Sequence, residues 1–189
     1  MRRLILQTGI SIDGYVAALD GSHPWSGGED EAVKRWILDS VWAAGAHLMG
    51  RVTYEEMAAF WPTSTSDYAR PMNEIPKVVF SKTLERADWP ETRIARGDLA
   101  EEIGRLKREP GNDLIAYGGA TLDQALSRLG LVDEYRLMVQ PAALGAGLPL
   151  FKDLRAPLQL ELVEGTTYAT GLAIHVYRPR SSPADQQVD

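Results

Sequence analysis

The sequence predicts an α/β layered fold with a mainly parallel central sheet and antiparallel strands at its C-terminal end. Short apolar runs alternate with segments of helical periodicity as far as about Gln140, the order that builds a parallel sheet covered by helices. Glycines follow several of the apolar runs at once, at Gly14, Gly50, Gly118 and Gly145. The last section changes character. Residues 158–163 and 172–177 alternate apolar and polar side chains around Gly165 and Gly171, as an antiparallel hairpin does.

Taken in order, residues 4–11 read as a buried first strand, and Asp13-Gly14 as a turn or bulge after it. Residues 16–28, with Asp20-Gly21, Pro24 and Gly27-Gly28, form a long loop of the kind that serves as a lid or binding loop, or simply passes through solvent. Residues 29–44 read as a helix, with Asp30, Val33, Ile37 and Val41 on or near one face. Asp30 extends that stripe at its N-terminal end, so its carboxylate either points into a pocket or simply favours the positive end of the helix. Residues 46–49 are a second strand, and Gly50-Arg51-Val52-Thr53 follows it. Thr53 with Glu56 three residues on predicts a capping box opening a helix over 54–60, which Pro62 ends. A loop over 63–76 carries a short helical turn near 67–73.

The third strand, 77–80, ends at Ser81-Lys82-Thr83, two hydroxyls flanking an ammonium. A short strand at 93–95 and an amphipathic helix at 99–107 lead to Pro110-Gly111. Next comes the stretch around which the chain is organised, an apolar run 114–117, Gly118-Gly119, and a helix starting near Thr121 with Leu122, Ala125, Leu126 and Leu129 on one side. Gly130 stops it, and a strand over 135–139 ends at Pro141. A helix start attracts anions through unpaired N–H groups and aligned peptide dipoles, and glycine lets a phosphate approach the backbone. An ordinary tight turn would use the same glycines. Residues 180–189 are a polar tail.

In an open parallel sheet the carboxyl ends of the strands share one rim, where ligands bind. Arg51, Thr53, Ser81, Lys82 and Gly118-Gly119 would then meet on that rim, a set suited to a dinucleotide, whose phosphates and sugars span several loops. Composition narrows the rest. With 189 residues the chain is long enough for one domain with a sizeable core. A net charge of −6 without a long basic run argues against a large nucleic-acid footprint. The absence of cysteine excludes disulfides, thiolate metal sites and cysteine nucleophiles, and His23, His47 and His175 lack metal-ligand spacing. No signal-peptide core or membrane-length apolar run is present, so the expected location is cytoplasmic.

These residues resemble the dihydrofolate reductase-like superfamily and, within it, the C-terminal reductase domain of the bifunctional riboflavin-biosynthesis deaminase-reductase. The likeness runs through Ser11-Ile12-Asp13-Gly14-Tyr15, Leu48-Met49-Gly50-Arg51-Val52-Thr53-Tyr54-Glu55, Tyr117-Gly118-Gly119-Ala120-Thr121, and Gly130-Leu131-Val132-Asp133-Glu134 through Pro141 to Gly145. It implies a three-layer reductase-like domain over 1–178, NADPH as cofactor, and hydride transfer to a pyrimidine- or pterin-like substrate. By the same resemblance Gly50, Arg51, Val52 and Thr53 hold cofactor phosphates, Ser81 and Lys82 lie near the adenosine 2′-phosphate, and Gly118, Gly119, Ala120 and Thr121 form the pyrophosphate turn with a strained, often cis, Gly-Gly peptide. Asp30, five residues after Trp25, matches the substrate-binding acid of folate reductases, and Asp13 is a second acidic candidate. A homodimer follows from the apolar final section together with family habit. The riboflavin enzyme also carries a zinc deaminase domain, for which this chain has no cysteines. Three functions stay open at this point: the riboflavin-type reductase, a reductase of another small imine or carbonyl compound, and a non-catalytic nucleotide-binding protein.

Overall fold

The structure is a computed structural model that describes residues 1–25 and 30–180. Gly27-Gly28 of the expected loop, Glu29 of the expected first helix and residues 181–189 of the expected tail lie outside them. The chain runs β1 (Leu4–Ser11), β2 (Tyr15–Ala17), α1 (Glu31–Trp42), β3 (Ala46–Gly50), α2 (Arg51–Phe60), a 3-10 turn (Trp61–Thr63), α3 (Ala69–Glu74), β4 (Lys77–Phe80), β5 (Thr92–Ala95), α4 (Leu99–Arg108), β6 (Leu114–Ala116), α5 (Ala120–Arg128), β7 (Glu134–Gln140), β8 (Leu148–Pro149), β9 (Leu160–Thr167) and β10 (Ala173–Pro179).

Eight strands form one sheet in the order β5-β4-β3-β6-β1-β7-β10-β9. The first six run parallel, while β10 is antiparallel to both β7 and β9. Side chains alternate across a strand, so neighbours in sequence serve opposite faces. Leu4, Leu6, Leu48 and Leu114 pack with Ile103 and Leu106 of α4 and Leu122 and Leu126 of α5. On the other face Met49 and Val79 pack with Val41 of α1, Tyr54 of α2 and Met72 of α3, and Ile5 packs with Ile115. Helix, sheet and helix make three layers, which is why β1, β3 and β6 are apolar on both sides.

Several expected boundaries move. α2 starts at Arg51, so Thr53 lies inside the helix and does not cap it; Gly50, with extended backbone, occupies the cap without a side-chain hydrogen bond. The capping box fails because the Thr53 hydroxyl is turned toward another element, donating to the Gly118 carbonyl at 3.3 Å. In the hairpin, Gly165 lies within β9 opposite His175, and the turn falls at Tyr168–Leu172, closed by the Tyr168 N–H on the Leu172 carbonyl at 2.8 Å. A small second sheet pairs β2 with β8 and ties the loop after β1 to the loop after β7.

The Gly130–Glu134 segment proves to be an architectural joint. Gly130 takes a φ of 65° just beyond α5. One Asp133 carboxylate oxygen accepts from the Leu4 N–H at 2.6 Å and pairs with Lys107 at 2.5 Å. Glu134 is buried and accepts from Arg3, Arg136 and Arg178 at 2.8, 2.9 and 3.0 Å. Burial alone would push its carboxyl up, but the Arg178, Arg136 and Arg3 guanidinium groups together hold it below its ordinary value. All these contacts lie at the amino ends of β1 and β7, where Ile5 pairs with Glu134.

Candidate functional site

Opposite that joint, the carboxyl ends of β3, β4, β5 and β6 border a cavity of about 840 Å³. This is within the usual size of a small-molecule site. Gly50, Arg51, Val52 and Thr53 line it where β3 becomes α2, and Ser81 and Lys82 line it just after β4. Gly118, Gly119, Ala120 and Thr121 line it between β6 and α5. Ten residues chosen from three separate stretches of sequence thus face one space. From the loop after β1, Val16, Ala17, Gly21 and His23 also reach it.

Three helices start at this rim, and they start differently. α4 is closed by Asp98, whose carboxylate accepts from the N–H groups of Ala100 and Glu101 at 2.9 and 3.1 Å. α2 and α5 instead have glycine at the cap, Gly50 and Gly119, and no side-chain cap hydrogen bond. Their first-turn N–H groups therefore lack a side-chain acceptor, and both helix dipoles present their positive ends to the cavity. Arg51 and Lys82 add full positive charges at the same rim. Arg51 is half exposed and pairs loosely with Glu55 at 3.5 Å. The Ser81 hydroxyl oxygen accepts from the N–H groups of Thr83 and Leu84 at 3.2 and 2.9 Å, which leaves its hydrogen for another acceptor. The arrangement suits an anion with several oxygens.

The Gly118-Gly119 turn is held in a conformation that side chains other than hydrogen rarely adopt. The two φ values are 100° and 90°. A Cβ on Gly119 would lie 2.8 Å from the Thr53 hydroxyl oxygen, and one on Gly118 would lie 3.3 Å from an Asp123 carboxylate oxygen. The expected cis geometry is absent, since the described residues contain no cis peptide bond. The turn is made by the two positive φ angles, with the Thr53 hydrogen bond fixing it to α2.

The two acidic candidates lie elsewhere. Asp13 binds Ser11 Oγ at 2.6 Å and the N–H groups of Leu144 and Gly145 at 3.1 and 2.8 Å, clamping the loop after β7 to the end of β1. The Ser11 hydroxyl, with the Gly145 and Leu144 N–H groups, lowers its pKa. Asp30 is the N-cap of α1, accepting from the N–H groups of Ala32 and Val33 at 2.8 and 3.3 Å. Neither carboxylate is among the groups that line the cavity.

A third aspartate does line it. Asp123, in the first turn of α5, is 0 % exposed, and neither of its carboxylate oxygens has a hydrogen-bond partner. Burial pushes its pKa up to about 8. In sequence it looks like any acid favouring a helix start, and only its place between Gly118, β1 and β7 makes it unusual. Tyr117, whose buried hydroxyl also lacks a partner, turns its ring to the other face of the sheet, against His47.

The fold is dihydrofolate reductase-like, an α/β fold with a mostly parallel central sheet. Residues 2–174 match the family described as RibD C-terminal domain, and the chain belongs to that family. It is 29 % identical over 181 residues to the uncharacterized protein YyaP of Bacillus subtilis, covering 93 % of this chain and 94 % of that one. Among solved structures, it is similar to a diaminohydroxyphosphoribosylaminopyrimidine deaminase/5-amino-6-(5-phosphoribosylamino)uracil reductase from Thermotoga maritima, with a TM-score of 0.68 and 16 % identity. That match covers 95 % of this chain and 57 % of the Thermotoga one. It is also similar to dihydrofolate reductase from Enterococcus faecalis, complexed with NADP(H) and a second compound, with a TM-score of 0.65, 13 % identity, and coverage of 95 % and 97 %. The fold is one that these two reductases share. Among the described residues no helix is long and apolar enough to cross a membrane.

Proposed function

We propose that this chain is an NADPH-dependent reductase of the riboflavin-biosynthesis type, acting on a pyrimidine- or pterin-like small molecule in the cytoplasm. The observation that carries the reading is the pair of glycine-capped helix starts, at Gly50 and Gly119, opening on one cavity beside Arg51 and Lys82. NADPH, when bound, supplies the hydride, so the protein's task is to bind, orient and exclude water. The N–H groups at the starts of α2 and α5 would hold the pyrophosphate, and Arg51, Ser81 and Lys82 the 2′-phosphate. The Thermotoga enzyme's named reaction and the NADP(H) in the Enterococcus complex favour the same cofactor and a nitrogen-heterocycle substrate.

Following NADPH absorbance with a panel of ribosylaminopyrimidines and dihydropterins tests the reaction, and no oxidation with any of them would remove it. The cofactor part has its own test. A charge-assisted hydrogen bond contributes ~1.5–3 kcal/mol, so losing two weakens binding more than tenfold. Arg51→Ala with Lys82→Ala should weaken NADPH by at least that factor and NADH much less. Equal losses for both cofactors would place these side chains on the shared pyrophosphate instead. A homodimer belongs to the same proposal. β9 is an edge strand with Leu162 and Val163 about half exposed, a surface that a second copy would cover.

A further inference from the structure

The strand order lays the cavity out along the rim of the sheet. Its lining runs from Asp98 after β5, through Lys82 after β4 and the starts of α2 and α5, to Thr8 of β1 and Ala17 of β2. The cations are gathered in one part of it. Among the described residues that line the cavity, the lysine and arginine side chains are Lys82 and Arg51, after β4 and β3. Residues 26–29 and 181–189 contain no lysine or arginine. In the dinucleotide reading, these two cations and the two glycine-capped helix starts are taken by the phosphates of the cofactor.

At the β1 end, backbone donors are already covered. α1 carries the chain from β1 back to the amino end of β3, so it starts at the same end of the sheet as the cavity. There Asp30 accepts from the N–H groups of Ala32 and Val33. Asp13, beyond the end of β1, accepts from the N–H groups of Leu144 and Gly145. Both N–H pairs thus hold a protein carboxylate, in contrast to the starts of α2 and α5. The wall at this end is apolar and firmly built. Val16 and Ala17 of β2 and Leu148 of β8 line it, and Ala17 pairs with Leu148. A Cβ on Gly147 would stand 2.4 Å from the Ala17 carbonyl oxygen, so the two strands pack without slack. Gln124 of α5 fixes β8 by donating to the Pro149 carbonyl at 2.7 Å. His23, exposed on the loop after β2, adds a single imidazole. A phosphate dianion brought to such a wall would lose water without gaining a fixed cation, whereas a neutral ring loses little.

We propose that the β1 end of the cavity takes a neutral nitrogen heterocycle that carries no phosphate of its own. This names the substrate class within the reductase reading and rests on that reading. The free ring or its ribosyl form suits the Val16, Ala17 and Leu148 wall. A phosphate ester of the same ring would bring a dianion to the end of the site where Asp13 and Asp30 already hold the backbone donors.

The test compares a ribosylaminopyrimidine, its 5′-phosphate ester and a dihydropterin on the full chain. NADPH is titrated first by itself. Each compound is then titrated calorimetrically into NADPH-loaded protein, and NADPH oxidation is followed with each. At least one neutral compound should bind, and the ester should bind about tenfold more weakly than that compound or worse, because an uncompensated charge opposes binding. His23→Arg puts a permanent cation at this end on an exposed position, so it should reduce the disadvantage of the ester about threefold or more. An ester bound as tightly as the neutral compounds would overturn the proposal and leave the cofactor reading in place. An unchanged ratio in folded His23→Arg would overturn it too, because charge at this end would then not set the preference. NADPH binding without binding of any of the three compounds would overturn the proposal alone. Failure of the wild type to bind NADPH would remove the reading on which it rests.

Discussion

Gly119→Val should yield a protein that melts lower and binds NADPH at least tenfold more weakly. The native φ of 90° is one that a β-branched residue adopts only as an outlier, at a cost of ~1–3 kcal/mol. The added Cβ would also stand 2.8 Å from the Thr53 hydroxyl oxygen. Either Thr53 rotates and gives up its bond to Gly118, or α2 and α5 move apart. Both responses loosen the link between the two helix starts whose N–H groups are proposed to hold the cofactor. Gly130 is the internal control. Its φ is also positive, at 65°, but a Cβ there meets nothing within 4 Å, and it does not line the cavity. Gly130→Ala should therefore lower the melting temperature alone. Thermal melts with NADPH titrations of both variants separate strain from site damage. Unchanged NADPH affinity in folded Gly119→Val would mean that this turn does not hold the cofactor.

Glu134→Leu should destabilise the fold by ~3 kcal/mol without touching the site. Removing one partner from a buried ion pair typically costs ~3–5 kcal/mol, because the other charge stays desolvated. The lower end applies here, since Arg3 and Arg178 have side chains 42 and 50 % exposed and can recover water, whereas Arg136 at 19 % cannot do so fully. Denaturant midpoints measure the loss, and NADPH affinity should be unchanged in the folded fraction. The pH dependence has a definite sign. Because the folded-state pKa of Glu134 lies below its ordinary value, its contribution is fully present above the unfolded carboxylate range of about 4.3 and is lost as pH falls through the folded value. Wild type should thus lose its advantage over Glu134→Gln on acidification. An advantage that stays constant below pH 4 would show that the three arginines do not act on this carboxylate.

The Gly-Leu-Val-Asp-Glu run shows how sequence can be informative about one thing and silent about another. It helped point to the family, yet it holds the amino ends of β1 and β7, at the end of the sheet away from the cavity. The layered fold was legible because strand and helix periodicity are local, and so are glycines at strand ends. That is why the sequence alone points residues from three stretches at one rim. Thr53 misled because its spacing to Glu56 matches a cap, while its hydroxyl is engaged 65 positions away on Gly118. β2 and β8, three and two residues long, are too short for any periodicity to register. Asp30 and Asp13 drew attention as acids beside apolar segments, and their observed partners are backbone N–H groups and one serine. Asp123 was invisible because burial is a property of the packed layers. An acid in the first turn of a helix is ordinary until Gly118, Thr8 and Tyr135 are seen around it.

The reversed direction of β10 has a practical side. The six parallel strands point their carboxyl ends at the cavity, so β1 begins at the opposite end of the sheet. β10 runs back against β7, with Tyr177 beside Tyr135, and it too finishes at that opposite end. Leu4 and Pro179 therefore emerge on the same side of the molecule, turned away from the cavity. An affinity handle, a fluorescent reporter or a surface linker attached beyond either residue would leave the cavity mouth clear, and a protein immobilised through either end would present its open face to the solution.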